Sequence, residues 1–320
     1  MYTSFFGLKE NPFNVTPDPK YLYLSPQHRE ALNHLIYGIN EKKGFIVITG
    51  GIGTGKTTIC RALLSMLNES ISTALILNSY ISDLDLLKTI IHEFGITLEP
   101  GKPSKKRYID ALNAFLLANF TVGKNAVLLI DESQNLPLTT LEQIRMLSNL
   151  ETEKEKLLQI VLLGQPELDD LLYSPLLKQL NERITVRYDV EPLDREQTRN
   201  YVNHRLSVAS GANDIPRFVT GAYSAIYDFS KGIPRRINTI CDRALLIAYT
   251  EDNREIDGRI IKQAAHDIGG RHMISHTIRF TSIRWNVLLY VFFFFIIMAL
   301  LGIINSAHLA NILSSWDSVP

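Results

Sequence analysis

Apolar positions along this chain fall into two rhythms. Short, nearly unbroken apolar runs recur at 44–49 (GFIVIT), 74–77 (ALIL), 126–130 (AVLLI) and 157–163 (LLQIVLL). Stretches near 57–67, 83–94, 104–119 and 138–150 separate them and carry their apolar residues at helical spacing. Unbroken apolar strands alternating with helices predict a parallel sheet covered on both faces, hence an α/β fold. After Ile184–Val190 the helical rhythm continues alone, over 195–210, 217–230, 235–250 and 257–268. An all-helical unit is therefore expected to follow the sheet, with the cut near Glu191-Pro192-Leu193, where proline disfavours continued regular structure.

A third rhythm stands apart. From Trp285 to Ile304 the chain reads WNVLLYVFFFFIIMALLGII without a charge, and as a helix it would cover the roughly 30 Å core of a bilayer. A buried core helix is the competing reading. Four consecutive phenylalanines, an apolar circumference and a place beyond the last globular element favour a membrane span. Arg271, Arg279 and Arg284 precede it, while 305–320 holds no Lys or Arg and one acid, Asp317. The expected orientation keeps the body in the cytoplasm and lets the tail emerge outside, in a single pass. Residues 1–10 lack a basic start followed by an apolar run, so no signal peptide is expected.

The composition fits a globular body and excludes a bulk polyelectrolyte role. The 320 residues are 46% hydrophobic, and 33 Lys plus Arg balance 33 Asp plus Glu, so no net field draws the chain to nucleic acid. Cys60 and Cys241 have neither a CxxC partner nor a nearby His cluster and read as reduced core thiols. His28 and His34 lack metal-ligand spacing and read as solvated or core histidines, and Glu153-Lys154-Glu155-Lys156 reads as a solvated loop.

The chemistry is concentrated after the first strand. Gly50-Gly51-Ile52-Gly53-Thr54-Gly55-Lys56-Thr57 has the spacing of a phosphate loop between a strand and a helix, with Thr58 adjoining. Gly50, Gly51, Gly53 and Gly55 bare the backbone N–H groups, Lys56 reaches the β- and γ-phosphates, and the Thr57 hydroxyl is suited to Mg²⁺. Binding alone is not hydrolysis. Val127-Leu128-Leu129-Ile130-Asp131-Glu132 supplies the second element: an acid at a strand end for the metal, Asp131, and one to polarise water, Glu132.

This pairing resembles the AAA+ branch of P-loop ATPases, which implies ATP and Mg²⁺ as ligands. In that resemblance Gln165 stands at the sensor-1 position, or else only caps a helix. Arg183 stands where such proteins carry an arginine finger for a neighbour's site, or else pairs with Glu182 or another surface acid. Gly232-Ile233-Pro234-Arg235-Arg236-Ile237-Asn238 resembles sensor 2, with Arg235 or Arg236 aimed at nucleotide from the lid.

A tighter resemblance runs over roughly residues 1–268. Phe5-Phe6-Gly7-Leu8, Asn11-Pro12-Phe13, Thr16-Pro17-Asp18-Pro19, Tyr21-Leu22-Tyr23-Leu24-Ser25 and His28-Arg29-Glu30-Ala31-Leu32, together with Ile130 to Leu136 and Leu163 to Leu168, look like the ExeA-type (general secretion pathway A) ATPases. That resemblance implies a homo-oligomer, ring-like or dimeric, anchored by one span in the bacterial inner membrane with its tail periplasmic, and serving envelope-spanning secretion, pilus or exopolysaccharide machinery. Members often carry a periplasmic peptidoglycan-binding domain, for which 305–320 is too short; a cell-wall contact would then come from a partner. Tyr21 and Tyr23 are suited to walling an adenine ring or to packing on the sheet edge.

The expected organisation is an ATPase part with an adenine-side N-terminal segment (1–190), a helical lid (191–269), a connector (270–284), a membrane helix (285–304) and a tail (305–320). Two other functions stay open: a DNA-associated AAA+ ATPase of the transposition or initiator type, and a slow-hydrolysing nucleotide-dependent scaffold. The neutral charge and the apolar span weigh against the first.

Overall fold

The computed structural model describes residues 2–16, 18–77, 79–153, 155–210 and 216–269. A single turn α1 (Tyr2–Phe5) and helix α2 (Pro26–Asn40) precede strand β1 (Phe45–Gly50). The chain then alternates through α3 (Lys56–Met66), β2 (Ile71–Ile76), α4 (Asp83–Glu93), α5 (Lys105–Thr121), β3 (Asn125–Ile130), α6 (Leu138–Leu147), β4 (Gln159–Leu163), α7 (Pro166–Leu172), α8 (Lys178–Asn181) and β5 (Ile184–Val190). The strands form one five-stranded sheet in the order β2-β3-β4-β1-β5, and every neighbouring pair is parallel.

Burial explains why the inner strands were the most legible. All of β1 and β4, and all of β3 after Asn125, are buried, because helices cover both faces and no position needs to be polar. Alternate side chains of β1 enter two separate cores: Phe45 and Val47 pack with α4, α5, α6 and α7, whereas Ile46 and Ile48 pack with α2 and α3. The edge strands β2 and β5 are only partly buried. Polar Ser72 and Thr73 on β2 therefore hid its first half, and the strand begins at Ile71 rather than near Ala74.

The connection from β1 leaps over β4 and β3 to reach β2, so β1 ends up between β4 and β5. This reversal opens a crevice at the carboxyl ends of the strands, the usual place for a ligand in an open α/β sheet. The loops after β1, β3 and β4, on three adjacent strands, all discharge there.

Beyond Val190 come α9 (Arg195–Ala209), β6 (Arg217–Phe218), α10 (Thr220–Ser230), α11 (Pro234–Thr250), β7 (Glu255–Ile256) and α12 (Gly258–Gly269). Asp194 and Gln197 close a reciprocal capping box on α9. The lid is not purely helical: β6 and β7 pair in parallel, Arg217 with Glu255 and Phe218 with Ile256. This pairing takes up residues expected to start a helix at Arg217, and the helix starts at Thr220 instead. The joint between sheet and lid is tight. Leu193 N–H donates to the Gly232 carbonyl at 3.0 Å, and Gly232 has φ +76, where a Cβ would lie 1.8 Å from the Leu193 oxygen; only glycine fits.

The first residues of the chain dock on the lid. Tyr2 Oη donates to Asp242 on α11, Asn11 donates to the same carboxylate at 2.9 Å, and Lys9 N–H donates to Ala209 O at the end of α9 at 2.9 Å. Phe6 and Phe13 are buried, Phe13 with its ring 6.4 Å from Phe218. The apolar and aromatic residues that opened the sequence are thus lid core. Met1–Ala264 together form one compact unit. Among the described residues no helix is long and apolar enough to cross a membrane. The connector, the expected span at 285–304 and the tail lie outside the described residues.

Candidate nucleotide site

The phosphate loop leaves β1 at Gly50 and enters α3 at Lys56, with Gly55 as a helix cap that offers no side chain. The first-turn N–H groups of α3 therefore have no side-chain cap and, with the helix dipole, favour an anion. Lys56 is buried to 5% exposure, and its Nζ donates to the Gly50 and Gly51 carbonyls at 2.7 and 3.1 Å. Burial lowers its pKa, opposed by the nearby charges of Glu132, Asp131, Asp189 and Glu167. Thr54 Oγ1 donates to the Gly51 carbonyl and braces the loop from inside.

Thr57 Oγ1 donates to Asp131 Oδ2 at 2.7 Å, so a hydroxyl and a carboxylate from two separate strand ends face one point. Among the described residues no group of three or more His, Cys, Asp or Glu could hold a metal. Mg²⁺ does not need one, since it binds through one or two protein oxygens together with substrate phosphates and water. The donor set at Thr57 and Asp131 fits that ion.

Glu132 follows in a left-handed conformation, φ +52. Its Oε2 accepts from Gln134 Nε2 at 2.7 Å and from Gln165 Nε2 at 3.0 Å, while Gln134 Oε1 accepts the Gln165 backbone N–H at 3.0 Å. The three side chains form a closed ring of hydrogen bonds across the ends of β3 and β4. Burial pushes the Glu132 carboxyl up, but the two amide donors and the Lys56 charge outweigh it and hold the pKa below its ordinary value. Gln165 caps α7 without a side-chain cap bond; its amide is committed to Glu132. Gln134 was given no role of its own in the sequence, although its place two residues after Glu132 is a usable signal.

A cavity of about 370 Å³ runs from this acid to the lid. Gly53, Gly55, Lys56, Thr57, Thr58 and Glu132 line one side, and Pro234 and Arg235 the other. The Arg235 N–H donates to Gly53 O at 3.4 Å, which brings the start of α11 onto the phosphate loop. Arg236 turns away, its guanidinium 5.1 Å from the Phe229 ring. Of the two candidate lid arginines, Arg235 is therefore the one at the cavity.

A second hollow continues past Gly55 and Thr58 and is lined by Tyr21, Leu22, Tyr23, His28 and Tyr201. Its apolar, aromatic walls suit a flat base. Tyr23 packs edge-on against Tyr201 at 5.8 Å, and Tyr21 lies under the Arg205 guanidinium at 4.7 Å. Both tyrosines face lid helix α9 and not the sheet edge. Arg205 is a cavity-lining residue that sequence reasoning missed. It is 6% exposed, donates to the carbonyls of Pro12 and Asn14 and to Tyr201 Oη, and borders both hollows. The available signal was its spacing: with Tyr201, Val202, Leu206 and Ala209 it lies on the buried stripe of α9, where an arginine is costly unless its donors are satisfied.

Arg183 is placed elsewhere. It precedes β5, whose first residue Ile184 pairs with Phe45 at the start of β1, so it sits at the strand edge opposite the phosphate loop. Nη1 donates to Ser148 Oγ and Asn149 Oδ1, both at 2.6 Å, and to Arg145 O at 3.3 Å, gripping the end of α6. It forms no close pair with Glu182. Cys60 and Cys241 are buried free thiols, Cys60 being pushed up to about 12 by burial. His34 stacks on Tyr188 at 5.1 Å. Glu155 and Lys156, in the expected solvated loop, pair with Lys42 and Glu151.

A parallel sheet in the order β2-β3-β4-β1-β5, a phosphate loop after β1, an acid pair after β3 and a helical lid that returns an arginine to the loop define a P-loop NTPase of the AAA+ kind. Residues 39–172 match a family described as an AAA domain. Over 270 residues the chain is 46% identical to general secretion pathway protein A of Aeromonas hydrophila, covering 84% of this chain and 49% of that one. The chain belongs to the ExeA-type AAA+ ATPase family. It spans about half the length of that relative. Among solved structures it is similar to the ORC2 protein of Aeropyrum pernix in ADPNP and ADP complexes, with TM-score 0.58, 14% identity and coverage of 82% of this chain and 72% of that one. It is also similar to Drosophila ORC bound to DNA, with TM-score 0.59, 21% identity and coverage of 82% and 66%. At those identities the likeness concerns the fold alone.

The hydrogen-bond ring yields a pH prediction. A carboxylate can accept a proton from water only when ionised, and Gln134 and Gln165 stabilise the ionised form of Glu132. Gln134→Ala or Gln165→Ala should raise the Glu132 pKa and move the acid limb of the pH–rate profile for ATP hydrolysis to higher pH. An acid limb that stays in place in both variants refutes the assignment.

Proposed function

We propose that this chain is a membrane-anchored ATPase that couples ATP binding and hydrolysis to assembling or operating envelope-spanning secretion, pilus or exopolysaccharide machinery in a bacterium. The observation that carries the enzymatic part is the Thr57 to Asp131 contact at 2.7 Å, with Glu132 held beside it by Gln134 and Gln165. Lys56 and the α3 amides bind the triphosphate, Arg235 reaches it from the lid, and the aromatic hollow takes the base. Thr57 and Asp131 would hold Mg²⁺, which when bound neutralises phosphate charge. Glu132 orients the attacking water and accepts its proton. The link to secretion rests on the relative named general secretion pathway protein A, and the anchor rests on the uncharged run from Trp285 to Ile304.

The position of Arg183 supports an oligomer. Five strand steps of about 3.3 Å each, roughly 16 Å, separate the two ends of β1, so Arg183 cannot serve the site of its own chain. It serves a neighbour's, in a homo-oligomer in which one subunit's β5 entry faces the next subunit's phosphate loop.

Four measurements test this reading. Lys56→Ala should weaken ATP binding about 10- to 100-fold, the equivalent of one or two charge-assisted hydrogen bonds. Glu132→Gln should bind ATP normally and lose about 10²- to 10⁴-fold in kcat; ordinary turnover in that variant would remove Glu132 from the mechanism. Mixing inactive Arg183→Ala with inactive Lys56→Ala subunits should restore part of the activity, and no recovery at any ratio would exclude action in trans. In cells, the full chain should sediment with inner membranes and a chain lacking 285–304 should not; equal membrane association would show that the run is no anchor.

A further inference from the structure

The phosphate loop is held from behind by a side chain to which neither the catalytic ring nor the lid lays claim. His28, in the first turn of α2, is 6% exposed, and Ser25 beside it is fully buried. Ser25 caps α2, its Oγ accepting the His28 N–H at 3.2 Å. The same hydroxyl lies 2.7 Å from His28 Nδ1, and His28 Nε2 lies 2.8 Å from the carbonyl oxygen of Thr54 in the phosphate loop. A carbonyl can only accept, so Nε2 carries the proton and Nδ1 accepts the Ser25 hydroxyl. Burial lowers the His28 pKa, which keeps the ring in this neutral tautomer.

The consequence lies in the next peptide unit. The Thr54–Gly55 peptide is planar and trans, so its carbonyl and its N–H point in opposite directions. With the Thr54 oxygen drawn back to His28, the Gly55 N–H turns the other way, toward the inside of the loop. Gly55 has φ +106, and a Cβ on it would meet His28 Nε2 at 2.8 Å; the close approach of ring and loop requires glycine there. The strut is also continuous with the base side. Residues 21 to 23, immediately before the Ser25 cap, line the aromatic hollow together with His28 and Gly55.

We propose that His28 is a positioning residue for the nucleotide: through the Ser25–His28–Thr54 chain it fixes the phosphate-loop peptide that presents the Gly55 N–H, and it ties that peptide to the segment that walls the base. The inference rests on the reading of residues 50–57 as the phosphate site. It separates His28 from a plain core histidine, because its effect falls on affinity and depends on one donor atom. Neither substrate chemistry nor the Glu132 ring passes through it. Its loss should raise Kd for ADP and ATP alike.

The test uses the purified, detergent-solubilised full chain. His28→Leu removes the donor at similar volume, and His28→Gln returns an N–H donor at about the Nε2 position. With N-methylanthraniloyl-ADP and with ATP as probes, His28→Leu should weaken binding about tenfold, the value of one well-placed hydrogen bond. His28→Gln should recover most of the affinity. Wild-type affinity in His28→Leu, a fall confined to kcat, or His28→Gln binding as weakly as His28→Leu would each overturn the assignment. Should His28→Leu fail to fold, ¹⁵N ring shifts of the wild-type chain at neutral pH decide the matter: an Nε2-protonated tautomer supports the strut and an Nδ1-protonated one overturns it. Wild-type chain that bound neither probe would refute the phosphate site itself, a result distinct from wild-type binding that His28→Leu leaves unchanged.

Discussion

The Thr57 hydroxyl meets the Asp131 carboxylate at 2.7 Å, and the rest of the structure is arranged to make that meeting possible. The two residues follow β1 and β3, which are not adjacent strands; β4 lies between them. Both strands must run the same way, and their ends must be level. The parallel registers of β1 with β4 and of β4 with β3 meet that condition, and continuous burial of all three strands locks it, because a slip of one residue would swap the two cores on which Phe45 and Ile46 depend. The hydrophobic effect sets the register, and the register sets the chemistry.

Polar devices then refine what packing made possible. Glu132 occupies a left-handed conformation that costs roughly 1 kcal/mol or more for a residue with a Cβ. The ring formed with Gln134 and Gln165 offsets that cost and aims the carboxylate, while Ser79 Oγ donates to the Glu132 carbonyl at 2.6 Å from the segment after β2. On the far side of the loop, Ser25 and His28 hold the Thr54 carbonyl. The phosphate loop is thus gripped on one side through α2 and touched on the other by the Arg235 amide of the lid. Its geometry is shared between sheet and lid and is not a property of the glycine-rich segment alone.

Arg205 unites these parts at an energetic cost. A guanidinium taken out of water loses several kcal/mol unless its donors are satisfied. Here two backbone carbonyls of the N-terminal segment, the Tyr201 hydroxyl and two tyrosine rings surround it. The N-terminal segment is thereby fastened to α9 in the wall of the nucleotide cavity, and the lid carries the first residues of the chain as part of its own core.

Much of this was legible in the order of residues. The inner strands, the phosphate loop, the acid pair at the end of β3 and the passage from sheet to helices near Pro192 follow from local pattern and spacing, since a strand buried on both faces must be apolar throughout and a phosphate cradle must bare its backbone; the ExeA-type family came from the resemblance of longer motifs. What local pattern could not contain is contact between distant segments. The docking of Tyr2 and Asn11 on Asp242, the choice of Arg235 over Arg236, the commitment of Gln165 to Glu132, the exile of Arg183 to the opposite strand edge and the pairing of β6 with β7 depend on where the chain returns to itself. Tertiary packing alone decides that, because the same side chain can cap a helix, pair with an acid or reach a nucleotide until its neighbours in space are set.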